Sequence, residues 1–257
     1  MQIQHEKTQD EIIRTLQRRV DELTTANLLL QEQLAHREQF TAMVAHESRG
    51  PLAPIINYAQ LVARSGQRTE NIQRGTKVIV GQARRLVRLV NDLLDTSRLS
   101  SGQFALIRDI CDIVELTREV IEHLRPVAPY HTLVLDAPST PLTGNWDSGR
   151  LQQALGNLLD NALKYSDEHT TVTVRIVSIE NAVHISIHNQ GTSIPSTDTS
   201  QLFRPFVRLP AASARQGSGL GLHITKSIVE AHGGTLRLEP HTAEEQGTTF
   251  SFDLPLN

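Results

Sequence analysis

From residue 9 to residue 36 the chain repeats apolar side chains at steps of three and four, with no Gly or Pro in between. Ile13, Leu16, Val20, Leu23, Asn27, Leu30 and Leu34 form the seam, flanked by polar Gln17, Arg18, Arg19, Asp21 and Glu22. This pattern predicts a long helix in a dimeric coiled coil, and Asn27 at an a position favours a parallel pair in fixed register. A surface helix packed on its own domain is the plainer alternative. The seam continues through Thr41, Val44 and Ser48 to Leu52, Ile55, Ala59 and Val62. Its two successive steps of four form a stutter. Gly50-Pro51 and Pro54 fall on the same stretch, where they should damage a helix and bend it. Ser65-Gly66-Gln67-Arg68 reads as a turn. A second helix follows, with Ile79, Ala83, Leu86, Val90, Leu93 and Ser97 again at heptad spacing. The two helices make a hairpin, and two hairpins make a four-helix bundle.

After Ser100-Ser101-Gly102 the period changes. Short alternating runs at 133–136, 171–177, 182–188, 235–239 and 248–254 predict strands, interleaved with helical stretches at 112–125, 147–165 and 219–232. Short connections between several strands imply antiparallel pairing. The expected fold is α+β. A coiled-coil helix over 1–37 leads to a helical dimerisation hairpin over 38–102 and an α/β sandwich over 103–257.

Bulk properties narrow the classes. The 257 residues carry a formal charge of −3, which gives no polycationic footprint for nucleic acid. Cys111 is the only cysteine, so no internal disulfide forms and a reducing, cytoplasmic setting is expected. No apolar run approaches a membrane span, and no membrane contact is expected of this chain. The lysines are only Lys7, Lys77, Lys164 and Lys226, which draws attention to where each one sits.

Three local patterns carry candidate chemistry. In LQQALGNLLDNALKYS (151–166), Asn157, Asn161 and Lys164 share one helical face, opposite Leu151, Leu155, Leu158, Leu159 and Ala162. Amides and an ammonium on one face suit a hard cation and phosphate oxygens, although a solvated polar stripe has the same pattern. QGSGLGLHI (216–224) is a glycine-rich loop opening into a helix, able to bring backbone amides to phosphate or simply to turn. It lacks the lysine of a Walker loop and the βαβ setting of a dinucleotide fingerprint. NQGTSIP (189–195) leaves a strand for an aperiodic stretch up to residue 216, readable as a lid latched by Phe203 and Phe206 or as an ordinary loop. His184 and His188 share the outer face of a strand, ~13 Å apart, too far to chelate one metal. His223, His232 and the loop pair Glu244-Glu245 have no predicted catalytic role.

Taken in order, these patterns resemble the HisKA-type sensor histidine kinases. AHESRGPL is similar to their phosphoacceptor box, NLLDNALKYS to the asparagine box and HNQGTSIP to the first glycine box. LFRPFVR is similar to the phenylalanine box, GSGLGLHITKSIVEAHGGTL to the second glycine box, GTTF to the last, and NDLLDTSRLSSG to the end of the second dimerisation helix. The resemblance covers about residues 38–256.

It implies that His46 accepts the γ-phosphoryl group of ATP while Glu47 hydrogen-bonds the imidazole as a base. Heptad position f would turn His46 to solvent. Asn161 would coordinate Mg²⁺, supported by Asn157. Lys164 would bind phosphate and Tyr165 would line the nucleotide site. Gly217, Ser218, Gly219, Leu220 and Gly221 would cradle the phosphates, and Gly191 and Thr248 would belong to the same site through the first and last glycine boxes. ATPases of this nucleotide fold carry a water-activating glutamate where this chain has Asn157, so the resemblance favours transfer to a side chain over hydrolysis.

The implied partners are a second copy of the chain, a separate response-regulator receiver domain, and an upstream sensor if the chain is a fragment. Three positions depart from the family. The adenine-reading Asp is Asn189. The second glycine of its box is Ser193. The Thr or Asn one turn after His46, which positions water for dephosphorylating the regulator, is Gly50, and this predicts weak phosphatase activity. A degenerate, nucleotide-binding dimeric scaffold is the competing reading.

Overall fold

The computed structural model describes residues 2–64, 69–100, 104–191, 193–194, 199–207, 218–240 and 247–256. The expected turn at 65–68, the hinge at 101–103, most of the lid with Gly217, and Glu244-Glu245 lie outside them. The chain packs as two compact units, Met1–Ala83 and Arg84–Asn257.

The first unit holds helix α1 (Gln2–Arg64) and the start of α2 (Thr69–Ser100). As the continuous seam implies, α1 is helical through both Pro51 and Pro54. Each proline removes one amide from the ladder, so the carbonyls of Glu47 and Gly50 lose their helical donors while the flanking turns keep theirs. Gly75 brings α2 close to α1, since a Cβ there would meet Val62 Cγ2 at 2.4 Å. Leu16, Val20, Leu23, Leu30 and Leu34 are each more than half exposed in the single chain. The heptad stripe therefore stands uncovered, as expected for a seam that another helix must close.

The second unit begins inside α2, because Leu89 is buried and Leu93 packs against the core that follows. Strand β1 (Asp109–Asp112) pairs antiparallel with β3 (Thr143–Trp146). The main sheet has the order β2 (Thr132–Asp136), β4 (Thr171–Ile179), β5 (Ala182–Asn189), β7 (Thr248–Pro255) and β6 (Thr235–Leu238). Among the described strands of this sheet, β2–β4 is the parallel pair and the others are antiparallel. Helices α3 (Ile113–Leu124), α4 (Ser148–Tyr165) and α6 (Gly221–Ala231) supply the other layer, and a four-residue α5 (Thr199–Leu202) lies between β5 and α6.

Alternation explains the two-layer form. On β5, Val183, Ile185 and Ile187 point into the core with Leu155, Leu158, Ile224 and Ile228 of the helices. His184, Ser186 and His188 point the other way. The sheet's polar side ties its own charges together, with His184 Nδ1 2.7 Å from Asp253 Oδ1 and Arg237 donating to Asp253 Oδ2 at 2.8 Å. Among the described residues, no helix is long and apolar enough to cross a membrane.

Candidate functional site

The Asp147 carboxylate caps α4, accepting the Arg150 amide at 3.0 Å and also holding the Ile107 amide at 2.8 Å. Its own N–H donates to His232 Nε2 at 2.9 Å, while His232 Nδ1–H donates to the Ile228 carbonyl at 2.8 Å. Those two bonds require the neutral imidazole, and burial pushes the His232 pKa down. His232 is thus a structural link from α6 to the start of α4.

Anchored this way, α4 buries Leu151, Ala154, Leu155, Leu158, Leu159 and Ala162 and leaves Asn157, Asn161 and Lys164 half-buried on one face. The Asn157 amide donates to the Gly221 carbonyl at 3.2 Å, fastening α4 to the first turn of α6. The Lys164 ammonium stands 4.8 Å over the Tyr165 ring.

No side chain caps α6. The turn leading into it passes through Gly219 at φ +69°, where a Cβ would also press on the backbone of Phe206 at 3.0 Å. Glycine is required there by both the left-handed backbone and the close approach. Gly221 is different, since a Cβ would make only ordinary contact with Asn157 at 3.6 Å. An uncapped helix start aims free amides and positive dipole outward, an arrangement suited to phosphate. Phe203 and Phe206 pack against the core, and Phe203 meets Phe250 edge-on at 6.3 Å.

The third wall is the end of β5. After Val183, Ile185 and Ile187, the next inward position is Asn189, only 3% exposed, and its Nδ2 has no hydrogen-bond partner among the described residues. Ser166, which ends α4 and bridges to Gly191, has a buried and unpartnered Oγ as well. An unpaired buried donor costs about 1–3 kcal/mol. Two of them at one sheet end leave polar atoms that a ligand or a buried water can satisfy. Gly191 is fixed by crowding, since a Cβ would lie 2.2 Å from the Tyr165 carbonyl. Thr248 pairs with Asn189 across the sheet, and the Gly247 amide donates to Ser193 Oγ at 3.5 Å. A phosphate-ready helix start, a lysine, two amides and an unsatisfied polar floor fit a nucleotide.

The fold therefore gathers Asn157, Asn161, Lys164, Tyr165, Asn189, Gly191, Ser218, Gly219, Leu220, Gly221 and Thr248 in one unit. His46 and Glu47 belong to the other, on α1, where His46 is exposed and Glu47 half-buried. A Cβ added at Gly50 would meet nothing within 4 Å.

One cluster was not anticipated from the sequence. Asp95 of α2 is buried, with Oδ1 2.7 Å from Arg150 Nη1 and Oδ2 accepting from Gln153 Nε2 at 2.7 Å. Arg150 also donates to Gln153 Oε1 at 2.9 Å and stacks 4.7 Å over the Phe104 ring. One turn earlier, Asp92 is pushed up to about 6 by burial and by the charge of Asp95. The available signal was two acids three apart on a helix that must pack on both sides.

Comparison with known proteins gives a consistent answer. The domain family described as histidine kinase-, DNA gyrase B- and HSP90-like ATPase matches residues 146–257, and the His Kinase A (phospho-acceptor) domain matches 36–102. The chain is 33% identical over 225 residues to the sensor histidine kinase WalK of Bacillus subtilis, covering 85% of this chain but 36% of that protein. The chain thus spans about a third of that relative's length. The mycobacterial sensor histidine kinase MprB structure is 31% identical with TM-score 0.53, covering 58% of this chain and 97% of that one. Full-length ShkA, solved in complex with AMPPNP, is 29% identical with TM-score 0.62, covering 83% and 45%.

Proposed function

We propose, from the premise that this chain belongs to the HisKA-type sensor histidine kinases, that it autophosphorylates His46 from ATP and passes the phosphoryl group to an aspartate of a separate response regulator. In the first step a ring nitrogen of His46 attacks the γ-phosphorus, an N–P bond forms, and the bond to the ADP oxygen breaks. Glu47 holds the proton on the other ring nitrogen and raises the nucleophilicity of the attacking one. Lys164 and the amides at the start of α6 draw charge from the phosphates, which is most of what this transfer requires of the protein. Asn161 is the residue to hold Mg²⁺, which when bound neutralises the phosphate oxygens.

One observation carries the reading. The nucleotide unit has no base of its own at Asn157, whose amide is spent on the Gly221 carbonyl. An exposed imidazole beside a carboxylate is supplied by His46 and Glu47 on a different element. Hydrolysis lacks a base here, and side-chain transfer has a nucleophile.

The uncovered stripe from Leu16 to Leu34 supports assembly as a parallel homodimer. With Gly50 lacking a side chain to orient water, removal of phosphate from the regulator is slow. The three segments, 1–37, 38–102 and 103–257, serve as signalling helix, dimerising phosphoacceptor and nucleotide domain. The last turns of α2, though, pack with the third.

Incubation with γ-labelled ATP and Mg²⁺ tests the proposal. Acid-labile, alkali-stable label on the parent and none on His46→Gln is the expected result. Free phosphate without protein label would make the chain an ATPase. Nucleotide binding with no label at millimolar ATP would make it a scaffold.

A further inference from the structure

The buried amide of Asn189 bears on which nucleotide the site takes. Asn189 sits in a strand paired on both sides, to Val172 of β4 and Thr248 of β7, and the Gly247 backbone packs so closely that a Cβ there would lie 2.1 Å from the Asn189 carbonyl oxygen. Its backbone is therefore fixed, and a half-turn about the last side-chain torsion exchanges Oδ1 and Nδ2 without moving the rest of the residue. Among the described residues Nδ2 has no partner, although Asn189 is only 3% exposed. Beside Asn189 at this sheet end, the buried Ser166 hydroxyl can donate or accept by rotation, Thr248 is the cross-strand neighbour, and the Gly247 amide donates to Ser193 Oγ. Asn189, Ser166 and Thr248 bring no charge to it.

Purines differ in what they offer such a floor. Adenine presents an amino donor beside a ring acceptor, whereas guanine presents a carbonyl acceptor beside a ring N–H donor. A carboxylate only accepts, so where it faces position 6 of the purine it welcomes the adenine amino group and repels the guanine carbonyl. A terminal amide matches adenine in one orientation and guanine in the other. From this, and resting on the reading that the base of the nucleotide lies against Asn189, we infer that the site is a dual-purine site, taking GTP as well as ATP as phosphoryl donor.

The test is calorimetric titration of the full chain with Mg·ATP, Mg·GTP and Mg·ITP, followed by labelling with γ-labelled ATP and GTP. The expected result is affinities within about fivefold of one another, and label on His46 from both donors. ITP, which keeps the guanine carbonyl but lacks the amino group, should bind like GTP. Asn189→Asp should then restore preference for ATP over GTP by at least about fiftyfold, chiefly by losing GTP. The comparison on the unaltered chain stands even if that variant does not fold. Tight ATP binding with GTP and ITP weaker by more than about thirtyfold overturns the inference and leaves the kinase reading intact. No binding of any of the three overturns both.

Discussion

Replacing Arg150 with alanine removes the central member of the cluster that fixes the end of α2 to α4. Its guanidinium bonds Asp95 at 2.7 Å and Gln153 at 2.9 Å and covers Phe104. The side chains of Arg150 and Asp95 are 20% and 8% exposed, so the deletion strands a carboxylate that water barely reaches. Breaking such a buried pair from one side costs about 3–5 kcal/mol. Two facts lower that figure to about 2–3 kcal/mol: Gln153 Nε2 still donates to Asp95, and water can reach part of the Arg150 site. At about 2–4 °C per kcal/mol for a unit of this size, melting should fall by about 5–10 °C.

The assay is built in, because Trp146 is the chain's only tryptophan and is 1% exposed inside the second unit. Urea unfolding followed by its fluorescence reports that unit. Asp95→Ala and the double variant complete a cycle, with a coupling of about 2 kcal/mol expected. A loss below about 0.5 kcal/mol for Arg150→Ala, or no coupling in the cycle, would refute the idea that this pair holds the helix in place.

Asp92 gives a pH signature. Its folded pKa is raised from 3.8 to about 6, so its contribution is complete below 3.8 and lost as pH rises through about 6. The full shift corresponds to about 3 kcal/mol, cut to about 1–2 by the group's partial access to water. Asp92→Asn, which imitates the protonated acid, should therefore stabilise the chain by that amount at pH 7 and by nothing at pH 3.5; an equal gain at both pH values would contradict the assignment. Gly50→Thr enters empty space on α1, so it should fold normally and speed dephosphorylation of the phosphorylated regulator by about tenfold or more. An unchanged rate, measured with purified regulator, would show that the missing side chain is not what limits phosphatase activity.

Much of the architecture was legible because local periodicity and core packing agree. Runs at 171–177 and 182–188 became β4 and β5 with the expected faces, and 147–165 became α4 with its leucines inward. β1 and β3 were not anticipated, since four residues each give alternation too little length to register. Pro51 and Pro54 weaken the helix locally, yet the seam runs on past them, because a long helix can lose two amides without ending.

The sequence by itself determined the seam, the strand alternation and the ordered set of Asn, Lys and Gly positions, because each is a matter of spacing along the chain. Tertiary structure alone decided what those positions meet. It tied Asn157 to the Gly221 carbonyl, made glycine obligatory at 219 but not at 221, and left the Asn189 amide buried without a partner among the described residues. It also drew Asp95 down onto Arg150, 55 residues away along the chain. Burial and partnership depend on residues far apart in sequence, and no local pattern encodes them.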